Sequence, residues 1–480
     1  MLFNSIDFAI FLPTVFGLYW FVLQKNLRAQ NLLIVASSYL FYGWWDWRFL
    51  SLILFSTVVD YIVGLKLKEQ KNISIRKLLL WISISVNLGF LGFFKYYNFF
   101  AENFASAFTL FGQQITTGSL NIVLPVGISF YTFQTLSYSI DVFRKKIEPT
   151  SDFVAFSAFV SFFPQLVAGP IERATNLLPQ FSKRRSFVYN KAVDGVRQIL
   201  WGLFKKIVIA DNCAFYANMI FNGSTDQNGS TLLLGAVFFA FQIYGDFSGY
   251  SDIAIGTARL FGFNLMQNFS FPYFSRDIAE FWRRWHISLS TWFRDYLYIP
   301  LGGSKGGIGM KIRNTFIIFA VSGFWHGANW TFVVWGVLNA LYFLPLMVFD
   351  KNRKNLGGVA EGKFLPSFKE FSGIVITFFM TTIAWVFFRA ENLNHAISIC
   401  KKIFSESLFD SIYMEHKMIW IFILLALFLL IEWAGRHNNY ALEKTGSSWP
   451  VSIRWAMYNF IVFLIVLFGG TAQEFIYFQF

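Results

Sequence analysis

The chain has 480 residues, of which 55% are hydrophobic and 14% are charged, and it contains 63 phenylalanines and 17 tryptophans. Apolar runs of about 18 residues recur from one end to the other, which argues against a soluble fold and predicts an all-α polytopic membrane protein. The net charge of +13 comes from short basic blocks between these runs, so it indicates cytoplasmic loops and not a nucleic-acid-binding surface.

Most of the apolar runs have the length of a membrane-embedded helix. They predict helices at residues 8–23, 32–42, 50–65, 78–94, 121–142, 207–221, 232–243, 314–325, 374–388, 418–433 and 455–468. The run at 153–169 has prolines and basic residues beside it, which favours a re-entrant or in-plane segment. With that segment and the second arm of the hairpin that begins at 314, we expect roughly 11 to 13 membrane-embedded segments in one domain.

The basic blocks predict the topology. Those at residues 25–28, 66–77, 172–206 and 350–371 should face the cytoplasm, where they would attract anionic lipid headgroups or a phosphorylated donor. The tryptophan-rich stretch at 43–48 is typical of the outer interface, so both termini are predicted to be extracytoplasmic. No basic residue precedes Lys25, and the first run is therefore interpreted as a retained helix.

Two acidic residues, Asp246 and Asp252, lie in the otherwise apolar stretch YGDFSGYSD. Acidic side chains inside a membrane protein are costly, so both are candidates for substrate contact. Alternatively, they could pair with the arginines of the following stretch or cap a broken helix, and this structural interpretation is favoured.

Apolar residues at positions 282, 285, 289, 292, 296 and 299 are three or four residues apart, which predicts one continuous helical stripe. The opposite side carries Arg283, His286, Ser290, Arg294 and Asp295. A helix with this distribution fits an in-plane or cavity-lining position, and Pro300 with the glycines that follow should end it.

His326 is the main candidate for a catalytic residue. It follows the apolar run at 314–325, whose twelve residues would span about 18 Å, a little over half of a ~30 Å hydrocarbon layer. The imidazole should therefore lie near mid-depth, at a helix break formed by residues 327–329. Desolvation favours the neutral imidazole, which can accept a proton from an attacking hydroxyl.

Alternatives to catalysis exist for both histidines in apolar surroundings. His326 could tie two helices together by a hydrogen bond, and the aromatic and arginine-rich neighbourhood of His286 could simply hold that ring. Cys213 and Cys400 have unrelated contexts and predict neither a disulfide nor a metal site. Because the chain has no G-x-S-x-G, H-E-x-x-H, Walker or CxxC motif, any chemistry should be direct transfer assisted by histidine.

These features together resemble the membrane-bound O-acyltransferase (MBOAT) family, and within it the bacterial branch that O-acetylates alginate and peptidoglycan. The likeness covers nearly the whole chain. It runs through MLFNSIDFAIFLP, SSYLFYGWW, LPVGISFYTFQTLSYSIDVFR, FPQLVAGPI, YGDFSGYSDIAIG, FWRRWHISLSTWFRDYLYIPLGG, FWHGANWTFVVWG and FIYFQF.

The resemblance implies a fold of tilted helices around a central tunnel, where a cytoplasmic pocket and an outer funnel meet at a histidine. His326 matches the family histidine, and His286 matches the second histidine of the bacterial branch. The candidate substrate-binding residues around them are Asp246, Ser248, Asp252, Arg283, Trp285, Ser290, Trp325 and Asn329.

The implied activity is transfer of acetyl groups across a bacterial inner membrane. Acetyl-CoA would be the cytoplasmic donor substrate, with no cofactor bound, and an extracytoplasmic SGNH-type partner would pass the acetyl group to an exported polysaccharide. One alternative is D-alanyl transfer from a carrier protein to teichoic acid, although that branch is shorter than this chain. Another is a transporter pathway lined by Asp246, Asp252, Arg283 and His326, but the chain has no paired halves of the kind that inverted repeats give.

Overall fold

The computed structural model of the protein describes residues 1–109, 118–470 and 473–478, and within these residues every regular element is a helix. Six helical stretches in this part of the chain are long and apolar enough to cross a membrane. They are Leu27–Glu69, Ile73–Thr109, Gly229–Leu260, Trp330–Val348, Phe368–Arg389 and Met418–Gly435, and Ile6–Val22 and Val451–Leu467 are shorter apolar helices. The all-α polytopic prediction is therefore confirmed.

Two compact units divide the chain by their internal packing. The first comprises Met1–Gly195 and Thr257–Met266, and the second comprises Val196–Gly256 and Gln267–Phe480. The single acyltransferase domain over residues 1–480 stays a prediction.

Among the described residues of the first unit, nine α-helices begin and end within it. They are α1 Ile6–Gly17, α2 Leu27–Asp46, α3 Leu50–Glu69, α4 Ile73–Leu91, α5 Tyr97–Thr109, α6 Ile128–Phe143, α7 Phe153–Ser161, α8 Phe163–Leu166 and α9 Ala174–Phe181. Short π-helical turns at Leu18–Val22 and Gly92–Tyr96 extend α1 and α4, and a 3₁₀ turn at Trp47–Phe49 joins α2 to α3. The helix predicted through Pro125 is wrong, because α6 begins only at Ile128. Proline disfavours helical backbone at the residue before it.

One buried carboxylate ties three helices of the first unit together. Asp60 of α3 accepts hydrogen bonds from the Ser83 hydroxyl and, at 2.9 Å, from the Asn87 amide of α4. It also accepts one from the Ser139 hydroxyl of α6 at 3.0 Å. Polar groups inside an apolar bundle need partners within the protein, so this network fixes the register of the three helices.

The remaining helices lie wholly or partly in the second unit. They are α10 Tyr189–Leu203, α11 Asp211–Asn222, α12 Gly229–Leu260, α13 Ile278–Arg284, α14 Ile287–Phe293, α15 Ile308–His326, α16 Trp330–Val348, α17 Phe368–Arg389, α18 Leu393–Ile403, α19 Met418–Gly435 and α20 Val451–Leu467. The π-helical turns Phe204–Ala210 and Arg294–Tyr298 follow α10 and α14, and 3₁₀ turns occupy Pro272–Phe274, Glu406–Phe409 and Ile476–Phe478.

Two sequence-based expectations for this unit are wrong. Helix α12 runs without a break through Asp246 and Asp252, so neither residue caps a broken helix. Gly249 of α12 allows a close crossing with α10, because a Cβ there would lie 2.7 Å from the carbonyl oxygen of Gly202. The predicted continuous helix over 282–299 is interrupted at His286, whose backbone is left-handed with φ 43°.

Helices α15 and α16 form a hairpin whose backbones approach closely at Gly336, where an added Cβ would lie on the carbonyl oxygen of Phe319. We expect Gly336→Ala to force the two helices apart and to lower stability by about 1–3 kcal/mol, the usual cost of overpacking. Thermal unfolding of the detergent-solubilised protein, followed by size-exclusion fluorescence, measures the effect. Gly309→Ala in α15 is the matched control, because its Cβ meets nothing within 4 Å. Equal melting midpoints for the two variants would contradict this account.

Candidate active site

His326 is the last residue of α15, directly before the predicted break, and α16 starts at Trp330. The imidazole is only 4% exposed. Its ring centroid lies 4.9 Å from that of Trp325, 5.1 Å from Trp335 and 5.2 Å from Phe388. Aromatic rings therefore enclose this histidine on several sides.

The predicted bounds of the helical arm before His326, residues 314–325, are wrong, and the mid-depth argument was based on them. Helix α15 begins at Ile308, six residues before the predicted start, and its 19 residues span roughly 28 Å. That length suffices to cross most of a hydrocarbon layer. Helix length therefore gives no argument for a mid-depth position of the imidazole.

The structure brings the second predicted histidine to the first. The ring centroids of His286 and His326 are 6.4 Å apart, although 40 residues separate them in the chain. His286 lies between the two seven-residue helices α13 and α14, outside the candidate spanning helices, and is 1% exposed. Burial lowers its pKa to about 3, so the ring is neutral at physiological pH.

Asn268 holds the turn that carries His286. Its carbonyl oxygen accepts from the Ile287 N–H at 2.9 Å, and its side-chain oxygen accepts from the Ser288 hydroxyl at 2.7 Å. Its amide nitrogen donates to Ser251 of α12 at 3.1 Å. Left-handed backbone at a non-glycine residue is costly and persists where the surroundings fix it, often at functional sites.

Trp285 and Trp325, two predicted substrate-binding residues, pack beside the histidines. Trp285 is buried with its ring 5.1 Å from that of Trp385. Trp325 touches both histidines, with ring centroids 6.0 Å from His286 and 4.9 Å from His326.

Asp246 and Asp252 pair with lysines and not with the arginines of the following stretch. Lys206 Nζ lies 2.8 Å from an Asp246 oxygen, and Lys205 Nζ lies 2.6 Å from an Asp252 oxygen. Both lysines belong to the π-helical turn Phe204–Ala210 and are buried, so counting them in a solvated basic loop was wrong. The two aspartates therefore form buried ion pairs, as the favoured structural interpretation predicted, but their partners are lysines and not arginines.

The other predicted binding residues donate hydrogen bonds to backbone carbonyl oxygens or line a small polar pocket. Arg283 donates to the carbonyl oxygens of Asn352 and Asn355 at 2.8 and 2.7 Å. Asn329 caps α16 and donates to the carbonyl of Glu391 at 2.9 Å. The Ser290 hydroxyl bonds to the Trp285 carbonyl. The pocket is lined by Lys205, Tyr244, Ser248, Ser251, Asp252, Asn268 and Glu432, among others. Substrate contact by these residues stays a prediction.

Tyr477 is a site residue that sequence reasoning missed. Its hydroxyl lies 3.5 Å from Nδ1 of His326, and its ring centroid lies 4.6 Å from that of Phe247. The only signal for it was the FIYFQF motif, which carries no catalytic chemistry by itself. Within the described residues, no group of three or more His, Cys, Asp or Glu is placed to hold a metal ion.

Residues 143–390, more than half of the chain, match the membrane-bound O-acyltransferase family, MBOAT. The chain therefore belongs to this family and is an acyltransferase, as the resemblance predicted.

Several of its relatives are bacterial proteins. The chain is similar to the probable alginate O-acetylase AlgI of Pseudomonas aeruginosa, with 41% identity over 84% of this chain and 75% of the relative. It is 32% identical to the peptidoglycan O-acetyltransferase of Helicobacter pylori, over 100% of this chain and 98% of the relative. The teichoic acid D-alanyltransferase of Streptococcus thermophilus is 29% identical over 56% of this chain and 69% of the relative.

We expect Asn268→Ala to lower acyl transfer, because the turn that aims His286 loses the Ser288 and Ser251 hydrogen bonds at once. A misplacement of about 1 Å in an active site can reduce the rate by about 100-fold. Turnover by the purified variant measures the effect, with the melting midpoint as a control for folding. Full activity in a folded variant would show that Asn268 does not position the site.

Proposed function

We propose that the protein transfers acetyl groups from cytoplasmic acetyl-CoA across the bacterial inner membrane to an extracytoplasmic SGNH-type partner, for O-acetylation of an exported polysaccharide. The observation that carries the proposal is the buried pair His286 and His326, whose rings are 6.4 Å apart in an aromatic enclosure. The relatives named as O-acetylases for alginate and peptidoglycan cover 84% and 100% of this chain.

His326 acts as the general base in this proposal. Its imidazole takes the proton of the acceptor hydroxyl, the hydroxyl oxygen attacks the thioester carbonyl, and the carbon–sulfur bond breaks. The CoA sulfur leaves and receives the proton, so the products are the acetyl ester and CoA. His286, neutral because it is buried, keeps one N–H that donates to the carbonyl oxygen as negative charge develops.

The basic loop at residues 350–371 is the proposed entry for the donor. It carries five bases against three acids in sequence, which favours a cytoplasmic location and attracts the anionic CoA ester. Arg283 ties this loop, through Asn352 and Asn355, to the helix that ends two residues before His286. Extracytoplasmic termini follow from the same basic bias.

D-alanyl transfer to teichoic acid is the second candidate. It is favoured by the D-alanyltransferases of Streptococcus thermophilus and Bacillus subtilis, which match 56% and 57% of this chain. The acetylating relatives match far more of it, so acetyl is the proposed acyl group. Membership of an acyltransferase family also favours acyl transfer over the transporter hypothesis.

We expect His326→Ala to abolish acetyl transfer and His286→Ala to lower it strongly, with both variants expressed and folded. Loss of a general base costs about 10²–10⁴-fold in rate. Release of CoA from acetyl-CoA by the purified protein with its partner measures the activity. His416→Ala, which changes an exposed histidine, is the matched control. Unfolded His326→Ala protein would support the helix-tying role, and normal turnover in that variant would refute the proposal.

Transfer should also proceed across the membrane. In oriented vesicles, acetyl-CoA supplied only on the cytoplasmic side should acetylate an acceptor confined to the other side, without CoA appearing there. Orientation is checked by labelling Gly357→Cys with an impermeant reagent, in a protein whose Cys213 and Cys400 are replaced with alanine. A requirement for donor and acceptor on the same side would disprove transfer across the bilayer while leaving the role of His326 intact.

A further inference from the structure

A polar cavity of about 540 Å³ opens beside the first residues of α17, within the second unit. Its volume is in the range of sites that take small molecules. Its charged lining side chains are Arg276, Lys354, Glu361, Lys363 and Glu370, and the rest of the lining comes from residues 355–367. None of these side chains takes part in the reaction proposed above, so the cavity needs an explanation of its own.

Side chains from two other segments fix the backbone around the cavity. Arg276 and Arg436 donate at 2.6 to 3.3 Å to the carbonyl oxygens of Gly357, Gly358, Val359, Ala360 and Lys363. The indole N–H of Trp433 donates to the carbonyl oxygen of Phe364 at 2.8 Å. The cavity therefore has a fixed wall, and the side chains that project from it keep defined positions.

The charge that a ligand would meet in the cavity comes from two lysines. Arg276 is already paired with Glu370, whose carboxylate lies 3.1 Å from the guanidinium. Of the other charged lining residues, Lys354 and Lys363 are basic and Glu361 is acidic. The remaining charge is therefore positive, which favours an anionic ligand.

Exposed apolar side chains border the same cavity. Phe364, Leu365 and Phe368 are 71%, 69% and 86% exposed, and Leu365 lines the cavity itself. Phe368 is the first residue of α17, which is long and apolar enough to span a membrane. An apolar patch of this kind on a fixed backbone is typical of a surface that contacts lipid.

The apolar border continues along α17, away from the loop. Phe371, Val375 and Phe379 follow Phe368 at intervals of three or four residues, and all of them are exposed. Residues at this spacing form one stripe on the surface of a helix. A headgroup held in the cavity would therefore have its hydrocarbon tails beside this stripe.

We infer that the cavity binds the phosphate headgroup of an anionic phospholipid from the leaflet on its own side of the membrane. Lys354 and Lys363 contact the phosphate, and the tails lie against Phe364, Phe368 and the stripe of α17. Basic pockets beside spanning helices on the cytoplasmic side, where this loop is predicted to lie, bind such headgroups. A soluble phosphate ester shares the negative charge but gains nothing from the apolar border, so the border favours a lipid. The inference goes beyond the proposed acetyl transfer and does not depend on it.

Lipid binding is tested by titrating the full-length protein, in a neutral detergent, with phosphatidylglycerol or with phosphatidylcholine, whose headgroup has no net charge. Native mass spectrometry counts the bound lipid. We expect a saturable site for phosphatidylglycerol that phosphatidylcholine does not fill. Lys354→Gln and Lys363→Gln should each weaken phosphatidylglycerol binding by about fivefold, the contribution of one base near an anionic lipid surface.

Two further variants serve as charge controls. Glu361→Gln should strengthen phosphatidylglycerol binding, because it removes an acid from the cavity. Lys417→Gln is the matched control for loss of one positive charge, since Lys417 is exposed directly before α19 and does not line the cavity. Its affinity for phosphatidylglycerol should equal that of the unchanged protein.

The apolar border separates a lipid from a soluble ligand. Phe364→Ser and Phe368→Ser should weaken phosphatidylglycerol binding by about tenfold, the scale of burying one phenyl ring. Both side chains are exposed, so the melting midpoints should stay unchanged. Bound phosphatidylglycerol should slow amide exchange across residues 354–367, and ADP, a soluble phosphate ester, should not.

Equal binding of the two lipids would overturn the inference, as would equal affinities of the two lysine variants and the Lys417→Gln control. Protection of residues 354–367 by ADP, with none from phosphatidylglycerol, would identify a site for a soluble phosphate ester and refute the lipid. Undiminished phosphatidylglycerol binding by Phe364→Ser and Phe368→Ser would contradict the placement of the tails on α17.

Discussion

The second unit depends on two ion pairs buried across one close helix crossing. Lys205 and Lys206 are neighbours in the chain, yet they reach Asp252 and Asp246, which lie six residues apart on α12. Six residues of helix rise about 9 Å, and adjacent side chains of a regular α-helix point about 100° apart. The π-helical turn that carries both lysines supplies an extra residue where this divergence occurs. Charged groups that are buried away from water need partners within the protein. These two ion pairs therefore fix the position of α12 against the π-helical turn, and the position of α12 in turn fixes that of the histidines.

The positions of most helices could be predicted from the sequence, because apolar runs of this length rarely form anything other than membrane-embedded helices. One predicted helix failed because a three-and-four spacing survives a single residue in left-handed backbone. The stripe over 282–299 looks continuous in sequence, but Asn268, far upstream, captures the Ile287 N–H and stabilises the turn at His286. Helices α5 and α18 escaped notice for another reason, since both carry polar residues among their apolar ones.

The sequence predicted only part of the candidate site. Histidines in apolar surroundings are conspicuous because such residues are rare, and the structure brings both together. The lysines were misassigned since a rule that counts basic residues in loops cannot distinguish a solvated lysine from one paired in the interior. Tyr477 lies 151 residues from the histidine that it faces, and no local pattern records a contact over that separation.

The aromatic enclosure of His326 also bears on a side reaction of the proposed base, which is hydrolysis of the thioester. A base that activates the acceptor hydroxyl in the proposed reaction would equally activate water, and a thioester can be attacked by either nucleophile. Trp325, Trp335 and Phe388 occupy the space around the imidazole in which a solvent molecule would otherwise stand. Water exclusion suppresses side reactions of this kind. In the proposed reaction, these rings would therefore protect the acyl donor from hydrolysis while no acceptor is present.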